Sequence, residues 1–563
     1  MQINPQSSFR FAAQSVFICL TTTVSIFLMS RSAWPAEPAA SSAARPNFLI
    51  VVADDMGFSD LGCYGGEIAT PHLDQLAAEG LRFTQMYSTA RCWPSRTCIL
   101  TGYYAQQVRM DPPKGKLPGW ARVLPHYLKP LGYRAYHSGK WHLPGAPRPV
   151  ADGGFDRSYS IEDHNRFFSP QNALLDDRRL PAVPEGTDFY LTTAIADYAI
   201  GFLKDHAKSH ASDPFLAYVA FTSPHFPLHA LQADIDRYRD RYLAGWDAIR
   251  AERLERMREM GIVDGPLSER DQKTIPPWNL PEKELQQQIG PGEAGYAVAW
   301  DELSDEQKRF QATKMAIHAA MVDRMDREIG RVLDQIRAMG ALDNTVVFFV
   351  SDNGASAEQI IRGDGHDPSA PPGSAKTFLC LGPGWSTASN TPFRLHKHWV
   401  HEGGIASPLI VHWPAGIRER GVWRHTPGHF IDLAPTLLEL AAADPPGNWN
   451  GLTPPELPGR SLVPAFSTDA SIDRPYLYWH HTNHRAIRVG DWKLVSAGSA
   501  TSEGPWELYR IAADRIESNN LASKHPDKVE QLSTLWQSCE DRFREQAGPP
   551  EPLNPPNRRP AAR

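Results

Sequence analysis

The sequence predicts an α/β fold: a mostly parallel, mixed central sheet covered by helices on both faces, followed by a smaller C-terminal α+β domain with an antiparallel sheet. Four strand-like runs, each leading straight into a polar cluster, carry the first half of that expectation. Phe48-Leu49-Ile50-Val51-Val52 runs into Asp54-Asp55-Met56-Gly57, and Tyr133-Arg134-Ala135-Tyr136 into Gly139-Lys140-Trp141-His142. The run from Pro214 to Phe221 leads into Ser223-Pro224-His225, and Thr345 to Val350 into Ser351-Asp352-Asn353-Gly354. Near-continuous apolar strands are what a parallel sheet covered on two faces requires. Ligands of open sheets sit beyond the carboxyl ends of the strands, so the four clusters are expected to converge on one crevice.

The remaining elements follow in order along the chain. Residues 11 to 29 form an apolar stretch behind Arg10, and small residues follow between Ala33 and Ala44. This reads as a signal peptide over residues 1–44, cleaved after Ala36, Ala40 or Ala44. A retained membrane anchor is the other reading, since the stretch is near the lower length limit for a span. Thr70-Pro71 caps and starts a helix that ends at Gly80. Pro94 suits the first position of a second helix, which leaves Cys92 beside its N-terminus, and Gly102 supplies its stop. A catalytic domain is expected over residues 45–445, with a charged, helix-like insertion at about 230–312 that includes Ala251 to Met260. That insertion either walls the substrate pocket or decorates the surface. Met321, Met325, Ile329, Leu333 and Ile336 form an apolar helical stripe ending near Gly340. Proline, glycine and asparagine cluster from Asp444 to Gly459 and mark a boundary. The smaller domain, residues 446–547, has strand candidates at 476–479, 486–489 and 492–495. The proline-rich tail, 548–563, is expected to be disordered.

At 563 residues the chain is too long for one small core. Its 41% hydrophobic and 22% charged content is that of an ordinary globular protein. With 58 basic and 64 acidic residues the net charge is −6, which argues against nucleic acid as a partner and makes any anion site local. Cys19 falls in the signal segment. Cys63, Cys98, Cys380 and Cys539 are available for disulfides in an oxidising compartment, in a pairing that spacing does not fix, and they match no zinc motif.

The chemistry begins at Cys92. Free backbone N–H groups and the positive end of the helix dipole face whatever this residue holds, and Arg96 adds a permanent charge one turn along, so an anion is the natural guest. The plain alternative is a buried cysteine, or one paired with Cys98. Asp54, Asp55, Asp352 and Asn353 offer hard oxygen ligands from two strand ends, the donor set that calcium or magnesium takes; each pair alone would also suit an ordinary loop turn. Taken singly, Lys140 and Lys397 would be solvated charges and His142 and His225 satisfied loop histidines.

Together these residues resemble a known family. The run Cys92-x-Pro94-Ser95-Arg96-x-x-x-Leu100-Thr101-Gly102 is similar to the signature of the type I, formylglycine-dependent sulfatases. Gly139-Lys140-Trp141-His142-Leu143, Ser223-Pro224-His225 and Lys397, five residues before Glu402-Gly403-Gly404, match further motifs of that family. The likeness runs from about Pro46 to Leu521, and the stretch from Asn390 to Pro408 most resembles the bacterial arylsulfatase-like branch. The resemblance implies an alkaline-phosphatase-like large domain and a sulfuric ester hydrolase with calcium on Asp54, Asp55, Asp352 and Asn353. It implies that Cys92 is oxidised to formylglycine by a formylglycine-generating enzyme. One hydroxyl of its hydrated aldehyde, activated by calcium with Asp352 as base, would attack sulfur. His225, helped by Lys397, would protonate the leaving alcohol. His142 would deprotonate the second hydroxyl, and Arg96 and Lys140 would hold the hydroxyls and the charge. The implied substrate is a sulfated small molecule or glycan. The signal-like segment makes the expected location periplasmic or secreted with no stable membrane association once it is removed, and the net charge leaves nucleic acid out as a partner. His396, His398, His401, His480, His481 and His484 are left without a role, His481 being a candidate for the pocket wall.

Two other functions fit parts of the pattern. A phosphonate monoester or phosphodiester hydrolase of the same superfamily would prefer a transition metal, so its activity would rise when calcium is exchanged for manganese or zinc. An unmodified sulfated-glycan binding protein would keep the thiol and show no turnover.

Overall fold

The computed structural model of the protein describes residues 45–551, apart from 113, 445, 446, 500 and 550. The segment read as a signal peptide and residues 552–563 of the tail lie outside the described residues.

An eleven-stranded sheet organises the chain. Its strands are β1 Asn47–Ala53, β2 Leu81–Tyr87, β3 Arg134–Lys140, β4 Arg157–Ile161, β5 Ala173–Leu175, β6 Arg178–Arg179, β7 Phe215–Ala220, β8 Thr345–Ser351, β9 Ala406–His412, β10 Val422–Arg424 and β11 Gly428–His429. The order is β10-β2-β9-β8-β1-β7-β3-β4-β5-β6, with β11 also beside β2. Neighbours β8, β1, β7, β3 and β4 are parallel. β9 runs against β8 and β2, and β5 against β4 and β6, so the sheet is mixed as predicted.

Register brings the four polar clusters level. Ala53 pairs with Ser351, Val52 with Ala220, and Ala220 with Gly139. Asp54, Asp352, the Ser223–His225 turn and Lys140 therefore leave the sheet side by side along one edge. Gly139 has φ +115°, and a Cβ there would stand 2.0 Å from the Ala220 carbonyl oxygen, so only glycine lets β3 lie this close to β7.

Side-chain alternation splits the core between the two faces of the sheet. Leu49, Val51 and Ala53 pack with the helices Leu191–Ser209 and Asp305–Ala338, the latter through the predicted stripe of Met321, Met325, Ile329, Leu333 and Ile336. A Ser304–Gln307 capping box fixes where that long helix starts. Phe48, Ile50 and Val52 pack on the other face with Ile99 and Leu100 of the helix Cys92–Thr101 and with side chains of the C-terminal sheet. Burying each Val, Leu, Ile or Phe contributes roughly 1.5–3 kcal/mol, so the helix Cys92–Thr101 is anchored by the sheet itself.

The C-terminal sheet is antiparallel: β12 Leu477–His481, β13 His484–Val489, β14 Trp492–Ser496 and β15 Glu507–Arg510. The first three strands were expected. β15 was not, being four residues with charge at both ends, nor was the helix Pro526–Ala547, whose Leu532, Trp536 and Phe543 join the second core. No helix among the described residues is long and apolar enough to cross a membrane.

Two local expectations are corrected. Cys92 is itself the first helical residue, with Arg91 as the extended cap, because the Ser95 amide already bonds the Arg91 carbonyl at 3.1 Å. The availability of Cys63, Cys98, Cys380 and Cys539 for disulfides is not realised: all are free and buried. Cys63 and Cys380 belong to different core clusters, and Cys98 and Cys539 share one without bonding.

Candidate active site

All ten residues singled out in the sequence meet at the level edge of β8, β1, β7 and β3. Lys140 Nζ lies 2.6 Å from Asp54 Oδ2. Arg96 donates through Nε to Asp352 Oδ2 at 2.9 Å and through a terminal nitrogen to the Lys140 carbonyl at 2.9 Å, tying the reactive helix to two strand ends. Lys397 Nζ sits 2.7 Å from Asp55 Oδ2 and 3.2 Å from Glu358 Oε2. Asn353 donates Nδ2 to Asp55 Oδ1 at 2.7 Å. Donor atoms of Asp54, Cys92 and Asp352 all lie within 4.8 Å of one another, as do those of Asp54, Asp55 and His225.

Backbone strain accompanies this convergence. Asp55 (φ 64°), His142 (φ 49°), Leu395 (φ 64°) and His398 (φ 91°) adopt the left-handed region without being glycine. Such residues cost on the order of 1–3 kcal/mol each and persist where surroundings over-determine them, as they do around a site.

The electrostatics are those of a crowded anion and cation cluster. Burial would raise the Asp54 carboxyl, but Lys140, His225 and Arg96 hold it below its ordinary value. Burial and the neighbouring Asp54 push Asp352 up to about 7. Burial also lifts the Cys92 thiol, against the pull of Lys140 and Lys397, so the thiolate is disfavoured. His142 and His225 are held neutral, first by burial and then by Lys140 and Lys397 respectively. His225 Nδ1 lies 2.5 Å from the Phe226 carbonyl oxygen and its Nε2 3.6 Å from Asp55 Oδ2. The short Nδ1 bond requires that nitrogen to carry the proton in the neutral ring.

The donor set suits a hard cation. Asp54 Oδ1 and Asn353 Oδ1 are buried oxygens with no hydrogen-bond partner. A buried bare carboxylate oxygen and a bare amide oxygen from adjacent strand ends, beside Asp55 and Asp352, match the oxygen-only coordination of calcium or magnesium.

Among the other members of the site, His481 was the candidate for the pocket wall, whereas His164, Trp278 and Glu358 carried no local signal. His164 lies between the catalytic candidates, its ring centroid 5.7 Å from that of His142 and 5.1 Å from that of His225. Trp93 stands 5.9 Å from His142 and 5.7 Å from His481, and His481 lies 4.9 Å from His398. Trp278 reaches in from the insertion to donate Nε1 to Glu358 at 2.9 Å, and Glu358 is the second carboxylate on Lys397. One segment of the insertion thus joins the wall. Its helix Gly245–Glu259 instead locks a loop below, with Arg253 paired to Asp60 at 2.7 Å and Glu67 at 2.8 Å.

Comparison with known proteins agrees with this geometry. The sulfatase family model matches residues 46–443, and a model described as the C-terminal part of N-sulphoglucosamine sulphohydrolase matches residues 393–544. An uncharacterised sulfatase of Schizosaccharomyces pombe is 31% identical over 541 residues, covering 87% of this chain and 93% of that protein. An arylsulfatase of Klebsiella aerogenes is 30% identical over 453 residues, covering 72% of this chain and 89% of its own. A solved structure bound to its substrate D-glucosamine-2-N,6-O-disulfate is similar in fold, with 22% identity and a TM-score of 0.60, covering 89% of this chain and 98% of that one. The fold is alkaline-phosphatase-like, as the resemblance implied. The chain belongs to the sulfatase family and is a sulfate-ester hydrolase.

Proposed function

We propose that the protein hydrolyses a sulfate monoester of a sugar, phenol or alkyl alcohol, using Cys92 oxidised to formylglycine and a calcium ion on Asp54, Asp55, Asp352 and Asn353. The observation that carries this reading is the Asp54–Cys92–Asp352 cluster, with its donor atoms within 4.8 Å and Arg96 and Lys140 alongside. Formylglycine supplies, as its hydrate, an oxygen nucleophile for sulfur and, on reverting to the aldehyde, a way to expel sulfate without a second attack. Calcium supplies charge for the sulfate oxygens.

The chain's own residues do the rest. Arg96 and Lys140 fix position 92 against the strand ends and add two cations where negative charge develops. Asp352 has a donor atom within 4.8 Å of that of Cys92, in place to act as base toward position 92. His225 anchors Nδ1 on the Phe226 carbonyl, which leaves Nε2 to carry the leaving-group proton. Burial and Lys397 hold His225 neutral, so Nε2 acquires that proton together with the anionic ester, whose charge offsets that of the imidazolium. His142 holds a buried Nδ1 with no partner and serves the second hydroxyl of position 92.

Cys92 is only 3% exposed, so the formylglycine-generating enzyme must act before folding closes the site. The same reading places the mature protein in the periplasm or outside the cell after loss of the first 44 or so residues, where burial shields its free cysteines. N-terminal sequencing of the mature chain tests the location. Hydrolysis of an aryl sulfate by chelator-stripped protein, restored by calcium, tests the chemistry; higher activity with manganese than with calcium would overturn the calcium assignment.

A further inference from the structure

Beyond Arg96, Lys140 and Lys397, which face the cluster around Cys92, the mouth of the site holds two more cations. Arg91 directly precedes Cys92, and its guanidinium carbon lies 5.5 Å from the ring centroids of both Trp93 and Trp278. Nε and Nη1 of Arg91 are buried without any partner, and only Nη2 reaches Glu358, at a long 3.5 Å. Lys114 is exposed and sets Nζ 3.5 Å from the Trp93 ring centroid. Both indoles are fixed, Trp93 by donating Nε1 to the Met110 carbonyl at 2.9 Å and Trp278 by its bond to Glu358. Between them stand His398 and His481, the latter oriented by Asp111 at 2.5 Å.

A guanidinium with two buried free donors beside a reaction centre lacks an acceptor that a carboxylate or sulfate would provide. Rigid indoles offer flat apolar walls to a ring at little cost in ordering. Lys114 adds a cation on the outer side, exposed and held over the Trp93 ring, from which an anion can draw it.

We propose that Arg91 and Lys114, with Trp93 and Trp278, form a subsite for a second anionic group, so that the preferred ester is a ring bearing both the sulfate and a further carboxylate or sulfate. This rests on the sulfate-ester reading and names the class of alcohol within it.

The test compares matched esters. Phenyl sulfate is set against its 3- and 4-carboxyphenyl analogues, and a monosulfated hexosamine against its N,O-disulfated form, with native protein and with Lys114→Gln. The expected result is at least a tenfold higher kcat/KM for the doubly charged member of one or both pairs at low salt. That preference should shrink at high salt and fall to about threefold or less in Lys114→Gln, while phenyl sulfate turnover stays the same. The aryl pair winning assigns an aromatic acid, and the sugar pair winning assigns a sulfated glycan. Equal rates within both pairs, or a loss in Lys114→Gln that is the same for charged and neutral esters, would overturn the subsite. If no ester is cleaved at all, the sulfatase chemistry fails separately. Calorimetry of 4-sulfobenzoate against benzenesulfonate then decides the subsite alone: tighter binding of the former, lost in Lys114→Gln, supports it, and equal binding refutes it.

Discussion

Two buried lysines in this molecule are built alike and serve different ends. Lys397 lies between Asp55 and Glu358 at the strand-end site, and Lys493 on β14 lies between Glu402 at 2.9 Å and Glu517 at 2.8 Å. The second trio rivets the C-terminal sheet to the segment leading into β9. There Glu402 Oε2 also accepts from Tyr87 at 3.0 Å and Arg515 at 3.1 Å, and Glu517 Oε2 accepts the Glu402 amide at 2.8 Å. Buried atoms without a hydrogen-bond partner occur at both places, and the difference lies in the oxygens: beside Lys493 the bare atoms are Arg515 Nη1 and Nη2, and Glu517 Oε1 has Lys493 at 2.8 Å, whereas at the strand ends Asp54 Oδ1 and Asn353 Oδ1 have no donor. A lysine between two carboxylates therefore does not mark a reactive centre. Bare carboxylate and amide oxygens on adjacent strand ends are the better sign, because they leave the donors of a hard cation unspent.

The sharpest break in that comparison is chemical. Cys92→Ala should lower kcat/KM on an aryl sulfate by on the order of 10⁴-fold or more with an unchanged melting midpoint, since removing a nucleophile abolishes a concerted unit. Kinetics and calorimetry on one preparation check it, and equal hydrolysis by the variant would remove Cys92 from the reaction. Next is Lys493→Met, which removes the cation shared by two buried carboxylates and leaves Arg515 alone on Glu402. The expected cost is about 3–5 kcal/mol of stability in denaturant titration, with the folded fraction still active. Loss of activity at full stability would instead make the rivet part of the catalytic apparatus. Smaller still is the metal effect: saturating calcium at about 100 times its Kd should stabilise the chelator-treated protein by about 2.7 kcal/mol, read as a rise in midpoint. Last, Asn353→Ala should cost the metal-free protein only the Asn353–Asp55 hydrogen bond, roughly 0.5–1.5 kcal/mol, while abolishing much of the calcium-induced rise. An unchanged rise would take Asn353 out of the ligand set.

How much of this was legible in the sequence depends on how local the signal is. β1, β7 and β8 were readable because strands buried on both faces must be apolar throughout, and each delivers its polar residues at the next turn. β9 reads the same in either direction, so its antiparallel placement emerges only from pairing. β15 is short and ends in charge, and nothing distinguishes it from a loop. In the site, Cys92, Arg96, Lys140 and His142 stand in dense motifs. Asp111 and His481 are 370 residues apart and meet only in three dimensions, while Glu358 and Trp278 sit in loops with no repeating pattern. Two lone cations, Arg91 and Lys114, gain meaning only from the indoles beside them.

The central claim is that position 92 works as an oxidised residue. Mass spectrometry of the peptide spanning Cys92, taken from purified protein of measured specific activity, tests it most directly. The account predicts an aldehyde at position 92, in a fraction that rises in proportion to activity across preparations. Fully active protein that carries only the unmodified thiol would contradict it.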